Sequence, residues 1–437
     1  MASAGSRGGE GASGTKTVPG GRVLAILLLA YIFNFLDRQI VSILKIPMKA
    51  DLHLSDTQLG LLGGIAFASV YSTLAIPIAR YADRRGRSRV IAVSVAVWSL
   101  FTAVCGAAQN FWQLFAARMG VGIGESGGVA PSYALIADRF PPERRARALA
   151  IFSLGIPIGS ALGLFFGGWL AQSLDWRVAF AVIGLAGLPV AWMILRFVPD
   201  PPPADAVDAP PQESFGAVFG LLAKKPSFWL LSFGAASGSI CGYGLGFWLP
   251  SYFNTSLGLS LTSIGAYFGS IVLVGGTAGI LFGGSLADRL GNARPGAYAA
   301  IPAAAFLITA PAYVAALYSP SLTLGWFLFV VPYALSLMWL GPVITAVQHL
   351  VPPSARATAS ASFLLINNLI GIGFGTFIFG FMSDTMKAAY GDESLRYSIL
   401  AGLGFYILGA LLYFIAATRL KRDWYAPNPT PGYRELP

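Results

Sequence analysis

The stretch YIFNFLDR, Tyr31 to Arg38, decides how the rest of this sequence is interpreted. It places Asn34, Asp37 and Arg38 inside an apolar segment that runs from Val23 to Ile46. At a rise of about 1.5 Å per residue, Asp37 lies about 21 Å beyond Val23, past the middle of a hydrocarbon layer about 30 Å thick. An ionisable side chain at that depth is costly, so it indicates a substrate or proton pathway with a partner nearby.

The composition excludes an ordinary soluble domain. The 437 residues are 55% hydrophobic and only 11% charged, with a mean hydropathy of +0.66. The net charge of +10 could suit nucleic acid, but the basic residues are spread over short loops between apolar runs, so we expect no nucleic-acid partner. Cys105 and Cys241 each lie in an apolar run, which predicts no disulfide, metal site or cofactor.

Twelve apolar segments are long enough to span a bilayer, which predicts an all-α membrane protein. The first six lie at about 22–46, 56–81, 88–108, 111–136, 145–172 and 176–197. The last six lie at about 227–253, 260–287, 295–318, 322–349, 356–384 and 396–419.

The distribution of Lys and Arg predicts the orientation. If both termini are cytoplasmic, the inside collects 22 of the 29 basic residues and the outside only Lys45, Lys49, Arg177, Lys387 and Arg396. Arg38 and Arg118 remain within the membrane. This bias predicts cytoplasmic termini.

The sequence divides into two halves. Between the sixth and seventh segments, Pro199 to Glu213 contains six prolines and four acidic residues, which is typical of an extended linker. We therefore expect a disordered tail at 1–21, a six-helix bundle at 22–197, and a linker with an interfacial helix at 198–226. A second bundle at 227–420 and a tail at 421–437 would follow.

The halves also repeat one another. PPERRARALAIF at 141–152 and PPSARATASASF at 352–363 share a pattern, as do ARYADRRGRSR at 79–89 and GSLADRLGNAR at 284–294. Repeated halves that enclose a site near the midplane are the usual construction of secondary transporters.

The A-D-R-x-G element resembles the loop signature of the major facilitator superfamily. The resemblance implies two pseudo-symmetric six-helix bundles and a cytoplasmic gate whose ion pairs close the inside in the outward-facing state. The candidate gate residues are Asp83, Arg84, Arg87, Arg145, Asp288, Arg289 and Arg356. The alternative is a topology signal without a gating role.

RMGVGIGESGGVAPSYALIADRF, residues 118–140, together with FNFLDR and FSLGIPIGSALGLFFGGW at 152–169, resembles the Spinster family of that superfamily. The resemblance implies transport of sphingosine 1-phosphate or lysophospholipids, and membership of the superfamily implies a monomer. The composition, rich in Ala, Gly and Arg, indicates a bacterial source, so we expect the protein in a bacterial inner membrane. Ser132 and Tyr133 in this motif are candidate substrate contacts.

The fourth segment carries its own charges. Arg118 and Glu125 are seven residues apart and share one helix face, whereas the adjacent Asp37 and Arg38 cannot both point at one partner. We expect a buried network of two carboxylates and two guanidiniums. Asp37 and Glu125 would bind protons, and Arg38 and Arg118, with Asn34, would hold an anionic headgroup. The alternative is a structural ion-pair cluster.

From Ser227 to Met382 and from Ile399 to Ala417, the second half lacks such charges at membrane depth, apart from the loop charges between Asp288 and Arg294 and Arg356 at a helix start. The wall that it contributes is therefore predicted to be apolar and aromatic. This favours an amphipathic, lipid-like substrate. Candidate contacts are Phe247, Trp248, Tyr252, Trp339, Phe363 and Asn367, although aromatic residues at these spacings also serve helix packing. Glycines 155, 159, 163 and 167 and glycines 275, 279 and 283 form stripes on the fifth and eighth segments, where we expect the halves to rock against each other.

The sequence also bears on three other functions: an enzyme, a sensor and a different kind of carrier. The histidines, His53 and His349, lie in or near loops, and no Ser, His and Asp set is visible, so an enzyme is not expected. A sensor without transport is a further alternative. Within transporters, a proton-coupled carrier of small organic anions or drugs is the second interpretation.

Overall fold

The computed structural model describes residues 19–200, 215–291 and 294–425. Most of the predicted terminal tails and most of the proline-rich linker therefore lie outside the described residues. The fold is all-α, and the twelve predicted segments correspond to twelve helical spans in two pseudo-symmetric six-helix bundles.

The first bundle holds six spans, four of which are broken into two helices. Its helices are α1 (Gly20–Asp51), α2 (Asp56–Gly63), α3 (Ile65–Arg85), α4 (Arg87–Cys105), α5 (Phe111–Glu125), α6 (Val129–Arg139), α7 (Pro142–Ser153), α8 (Gly155–Ser173), α9 (Trp176–Ala186) and α10 (Leu188–Phe197).

A short helix, α11 (Phe215–Ala223), occupies the end of the linker. The helices of the second bundle are α12 (Pro226–Thr255), α13 (Leu261–Gly291), α14 (Ala297–Leu317), α15 (Leu322–Leu337), α16 (Leu340–Gln348), α17 (Arg356–Tyr390), α18 (Ser394–Gly402) and α19 (Gly404–Asp423).

Ten stretches of the described residues are long and apolar enough to cross a membrane, and one of them, Pro353–Asp423, contains two spans. The fourth span, Phe111–Arg139, is not among the ten. It is divided by residues 126–128 into helices of 15 and 11 residues. The exceptional span is therefore the one that carries Arg118 and Glu125.

The glycine stripes pack within bundles, which corrects the prediction that they form the rocking surface. A Cβ on Gly159 would lie 2.3 Å from the Ile32 carbonyl oxygen of α1, and one on Gly279 would lie 2.1 Å from the Ala334 carbonyl oxygen of α15. Helices α8 and α13 do face each other across the bundle interface. The close approach there uses another glycine, Gly265, whose Cβ would lie 2.5 Å from the Leu164 carbonyl oxygen.

Between residues that the structure describes, the hydrogen bonds that join the two bundles lie toward one end of the molecule. We call this end, where α1 ends and α2 begins, the distal face, and the opposite end, where α1 begins and α19 ends, the terminal face. At the distal face Thr376 donates to the Gly60 carbonyl oxygen (2.7 Å), and the Thr262 N–H donates to Gln172 (2.8 Å). The molecule is thus closed at its distal face.

Candidate functional site

The centre of the candidate site is an ion pair between α1 and α5. The Nε of Arg38 lies 2.5 Å from Oε2 of Glu125, and the Glu125 side chain is completely buried. The Arg38 side chain is 14% exposed. A carboxylate and a guanidinium at this distance form a charge-assisted hydrogen bond, which is among the stronger polar contacts in proteins.

The local sequence explains how Glu125 reaches this position. Glu125 is the last residue of α5, and residues 126–128 interrupt the span before α6 begins. Gly124 lets α5 approach α4 closely, since a Cβ there would lie 2.4 Å from the backbone nitrogen of Trp98. Broken helices at membrane depth are typical of transporter binding sites, because they free backbone groups and aim a side chain inward.

Asp37 points to a different helix from Arg38, as their spacing predicts. Its Oδ2 accepts a hydrogen bond from Thr102 of α4 at 3.0 Å, and the residue is 2% exposed. Its Oδ1 has no partner. Asp37 lies within electrostatic range of Glu125 and Arg118, but no ion pair joins Asp37 to either among the described residues.

Arg118 is buried without an ion-pair partner in the described part of the chain. It is 2% exposed, and both Nε and Nη1 lack hydrogen bonds. Its guanidinium lies 5.7 Å from the ring centre of Phe67, which is also 4.8 Å from the guanidinium carbon of Arg38. In the described residues, the predicted four-charge network is therefore one direct ion pair, Arg38 with Glu125, and two further charges, Asp37 and Arg118, that make no ion pair with it.

Unsatisfied polar atoms are concentrated around this pair. Oε1 of Glu125, Nη2 of Arg38 and both side-chain polar atoms of Asn34 are buried without a hydrogen bond of ordinary geometry. Most buried polar groups in proteins have a partner, and removing a charge from water without full compensation costs several kcal/mol. Such a cluster indicates a site that a ligand or proton can complete.

A small void adjoins the cluster. It has a volume of about 10 Å³ and is lined by Asn34, Trp98 and Ser132, among others. That volume is close to what one water molecule requires. Ser132 donates to the Gly128 carbonyl oxygen (2.7 Å), and Tyr133 packs edge-on against Phe152. These two predicted contacts thus lie near Asn34, and their role in substrate binding remains a prediction.

The predicted contacts of the second bundle are buried in packing in this conformation. Each is at most 6% exposed: Phe247, Trp248, Tyr252, Trp339, Phe363 and Asn367. Asn367 accepts a hydrogen bond from Ser239 (2.9 Å), and Tyr252 donates to the Leu317 carbonyl oxygen (2.6 Å). Their assignment to the substrate stays a prediction for another conformation.

Two tyrosines near the charged pair, Tyr71 and Tyr243, were not predicted from the sequence. Tyr71 of α3 lies with its ring centre 4.6 Å from the guanidinium carbon of Arg38, and Tyr243 of α12 lies within electrostatic range of Arg38 and Glu125. Tyr243 is 36% exposed. Tyr243 thus places a residue of the second bundle within electrostatic range of the charged pair of the first. Its place between Gly242 and Gly244 was the available signal.

Lys45 was predicted to be an outside topological charge, and the structure corrects this. Lys45 is 0% exposed, and its Nζ donates to the carbonyl oxygens of Ser42 and Phe247, each at 2.7 Å. The same ammonium lies 4.7 Å from the ring centre of Phe247 and 5.1 Å from that of Trp248. Because Phe247 belongs to α12, this lysine joins the two bundles.

A carboxylate of the second bundle caps a helix of the first at the distal face. Asp384 of α17 accepts hydrogen bonds from the backbone N–H groups of Asp56 and Thr57, at 3.2 and 2.7 Å, and from the Thr57 hydroxyl at 2.6 Å. Ser383 donates to Asp56 Oδ2 at 2.8 Å. A negative charge at a helix N-terminus is stabilising, so these contacts hold the distal face closed.

At the terminal face, the ion pairs of the predicted gate that the described side chains show stay within the first bundle. Arg87 pairs with Asp83 at 2.8 Å and with Asp138. Arg84 and Arg289 are exposed, and the buried Nε atoms of Arg145 and Arg356 lack a hydrogen bond. Only the backbone of Asp288 is described. The role of these residues as a gate remains a prediction.

Comparisons with known proteins agree with this geometry. The family model of the Major Facilitator Superfamily matches residues 27–376. An "MFS-type efflux pump" of Mycolicibacterium smegmatis is 36% identical over 401 residues, which cover 92% of this chain and 93% of that protein. "Protein spinster homolog 1" of Homo sapiens is 30% identical over 399 residues, which cover 85% of this chain and 75% of that protein.

A solved structure has the same fold. The crystal structure of a bacterial homolog to the human lysosomal transporter Spinster, in an inward-facing and unoccupied conformation, matches with a TM-score of 0.85 at 30% sequence identity. The match covers 95% of this chain and 100% of that chain. With its charged first bundle, its broken fourth span and these similarities, the chain belongs to the major facilitator superfamily and, within it, to the Spinster family.

Proposed function

We propose that this Spinster-family transporter moves an amphipathic, anionic lipid-like substrate of the lysophospholipid or sphingosine 1-phosphate type, coupled to protons through Asp37 and Glu125. The family makes the chain a multi-pass membrane transporter of small molecules rather than an enzyme. The observation that carries the proposal is the cluster of buried, incompletely bonded charges around the Arg38–Glu125 pair.

Proton coupling follows from the chemistry of the pair. Protonation of Glu125 removes the charge that holds Arg38 and frees the guanidinium for an anion. Asp37 is held by one hydrogen bond from Thr102 and has a free oxygen. Protonation of either carboxyl would thus favour the binding of an anion at Arg38 or Arg118, because the anion balances the positive charge that the proton leaves uncompensated.

The substrate class rests on the contrast between the two walls of the site. Arg38 and Arg118 can bind a phosphate with paired N–H groups. The second bundle contributes Tyr243 and aromatic packing. A headgroup with one phosphate and a single long acyl chain fits such an amphipathic surface better than a sugar does.

Alternating access would proceed by opening the distal face. The contacts of Lys45 and Asp384 join the bundles there, while at the terminal face the ion pairs between described side chains of the predicted gate stay within the first bundle. We place both termini in the cytoplasm of a bacterium, so that this conformation faces inward, and we take the monomer as the working unit. The positive charge bias supports this orientation.

The alternative function is proton-coupled export of small organic anions or drugs. The name of the Mycolicibacterium smegmatis relative favours it. The same charged pair would serve such a substrate, so the two proposals differ in what the rest of the cavity contacts.

The test is flux in proteoliposomes that contain the purified protein. Uptake of a lysophospholipid or of sphingosine 1-phosphate is measured under an imposed pH gradient, with Glu125→Gln and Asp37→Asn as test variants and Glu393→Gln as the matched control. Glu393 pairs with Arg396 near the protein surface. Competition by unlabelled lysolipids and by simple organic anions separates the two substrate classes.

We expect pH-driven flux in the native protein and in the control, and its loss in both test variants. Unchanged pH-driven flux in both variants would refute the role of the two carboxyls. Inhibition by organic anions but not by lysolipids would refute the lipid-like substrate.

A further inference from the structure

A groove at the terminal face lies outside the site described above. It has a volume of about 500 Å³ and is formed where α11, the start of α12 and the end of α19 meet. Its lining combines two cations with apolar side chains, namely Ala223, Lys224, Pro226, Trp229, Leu230, Ile415 and Arg419. The transport mechanism uses none of these residues.

The two cations are uncompensated. In the part of the chain that the structure describes, neither Lys224 nor Arg419 makes an ion pair, a hydrogen bond or a ring contact. The neighbouring lysine, Lys225, is engaged, because its Nζ donates to the carbonyl oxygens of Leu350 (2.7 Å) and Asp423 (2.6 Å). The Asp423 carboxylate accepts from the backbone N–H of Ser227 (2.9 Å).

The groove continues into an apolar surface. Trp229 donates to the Ala223 carbonyl oxygen (3.0 Å), which fixes its indole, and its ring stacks on Phe233 with centres 5.8 Å apart. Phe233 is 43% exposed, and on the adjacent α19 Leu411 is 56% exposed. Two apolar strips, one on each helix, therefore run side by side from the cations toward the middle of the membrane.

The corresponding corner of the first bundle is built differently. There the beginning of α1 and the end of α10 also carry cations, Arg22 and Arg196. Both guanidiniums lie over the ring of Phe197, at 4.6 and 5.5 Å from its centre. Aromatic faces attract these cations and occupy them. In the second bundle, Trp229 instead contacts the linker helix, and within the described part of the chain Lys224 and Arg419 have no ring contact.

We propose that this groove binds an anionic phospholipid, with the phosphate headgroup between Lys224 and Arg419 and an acyl chain along Trp229, Phe233 and Leu411. Basic pockets between transmembrane helices on one side of a membrane suit the headgroups of anionic lipids such as cardiolipin. The apolar strips select a membrane lipid over a soluble phosphate, because a free phosphate has nothing to place on them. The bound lipid would tie the linker helix α11 to the second bundle.

The experiment uses the full-length protein in detergent and measures both its thermal unfolding and the lipids it retains in native mass spectrometry. Cardiolipin, phosphatidylglycerol, phosphatidylcholine and inorganic phosphate are added separately. The test variant is Lys224→Gln with Arg419→Gln, and the matched control is Arg22→Gln with Arg196→Gln. A second variant, Lys224→Arg with Arg419→Lys, keeps the charge.

We expect the native protein to retain cardiolipin or phosphatidylglycerol at least about tenfold better than phosphatidylcholine. That preference should disappear in the test variant and persist in the control and in the charge-keeping variant. Equal retention of all lipids by the native protein would overturn the proposal. So would an equal loss in the control variant, which would indicate a general surface charge effect, or equal stabilisation by inorganic phosphate.

Discussion

The two bundles share a fold but treat buried charge in opposite ways. Among the described residues, the buried charged side chains, Asp37, Lys45, Asp56, Arg118 and Glu125, all belong to the first bundle. The second bundle buries hydroxyls and amides at comparable positions. Examples are Ser398, which donates to the Phe379 carbonyl oxygen at 2.6 Å, and Ser239, which donates to Asn367 at 2.9 Å.

This difference indicates that the two bundles have different roles. A hydroxyl can donate a hydrogen bond to a backbone carbonyl of its own helix or of a neighbouring helix. It therefore stabilises one packing arrangement at little cost in free energy. Charges at membrane depth need partners that change with state. Under the proposed function, the first bundle would hold the groups that exchange protons and anions, and the second bundle would supply the surface against which they are exposed or covered.

Removing a buried charge from the first bundle should have a greater effect on transport than any other change described below. Glu125→Gln leaves Arg38 buried without its ion-pair partner, and removing one member of a buried pair costs about 3–5 kcal/mol. We expect at least about a hundredfold loss of pH-driven transport and a lower unfolding temperature. Flux assays and thermal unfolding measure both, with Glu393→Gln as the control. Flux within twofold of the native rate would contradict the assignment.

A second test removes the charge that the two bundles share. Lys45→Met keeps most of the side-chain volume but loses both hydrogen bonds, including the one to the Phe247 carbonyl oxygen. At about 1 kcal/mol or more for each such bond, we expect the equilibrium to shift about tenfold toward a conformation that is open at the distal face.

The distance between spin labels at exposed Gln109 and Lys387 measures this shift. Arg396→Met is the control, because Arg396 pairs with Glu393 within its own bundle. Distance distributions identical to those of the native protein would show that Lys45 does not hold the distal face closed.

A third test concerns Tyr243, where the second bundle approaches the charged pair of the first. Tyr243→Phe removes the hydroxyl that the second bundle brings toward Arg38, while the ring remains. We expect a several-fold rise in KM for an anionic substrate and a smaller change in the maximal rate, since the hydroxyl would contact the headgroup. Flux measured over a range of substrate concentrations separates the two parameters. An unchanged KM would remove Tyr243 from the site.

The smallest effect is expected inside the second bundle. Ser398→Ala leaves the Phe379 carbonyl without its added donor, at a cost of about 1 kcal/mol. We expect a slightly lower unfolding temperature and transport within about twofold of the native rate. A loss of transport as large as that of Glu125→Gln would mean that the two bundles do not divide their roles in this way.

The twelve spans and the charged stretch around Asp37 could be predicted from the sequence, because apolar length and a misplaced charge are local signals. Helix geometry limited the possible partners of Arg38 to a few charged residues, but it could not identify Glu125 among them. Lys45 could not be placed, since its position near the end of an apolar run is compatible with a loop as well as with burial. The glycine stripes could be recognised, but not the helices that they contact.

The sequence by itself determined that the chain crosses the membrane, that it contains two related halves, and that only one half carries charge in its interior. The tertiary structure decided which charges touch. It pairs Arg38 with Glu125, leaves Asp37 and Arg118 without an ion pair among the described residues, and closes the distal face with Lys45 and Asp384. The physical reason is that hydropathy is a property of each segment, whereas a hydrogen bond between helices depends on rotation and depth, which only packing fixes.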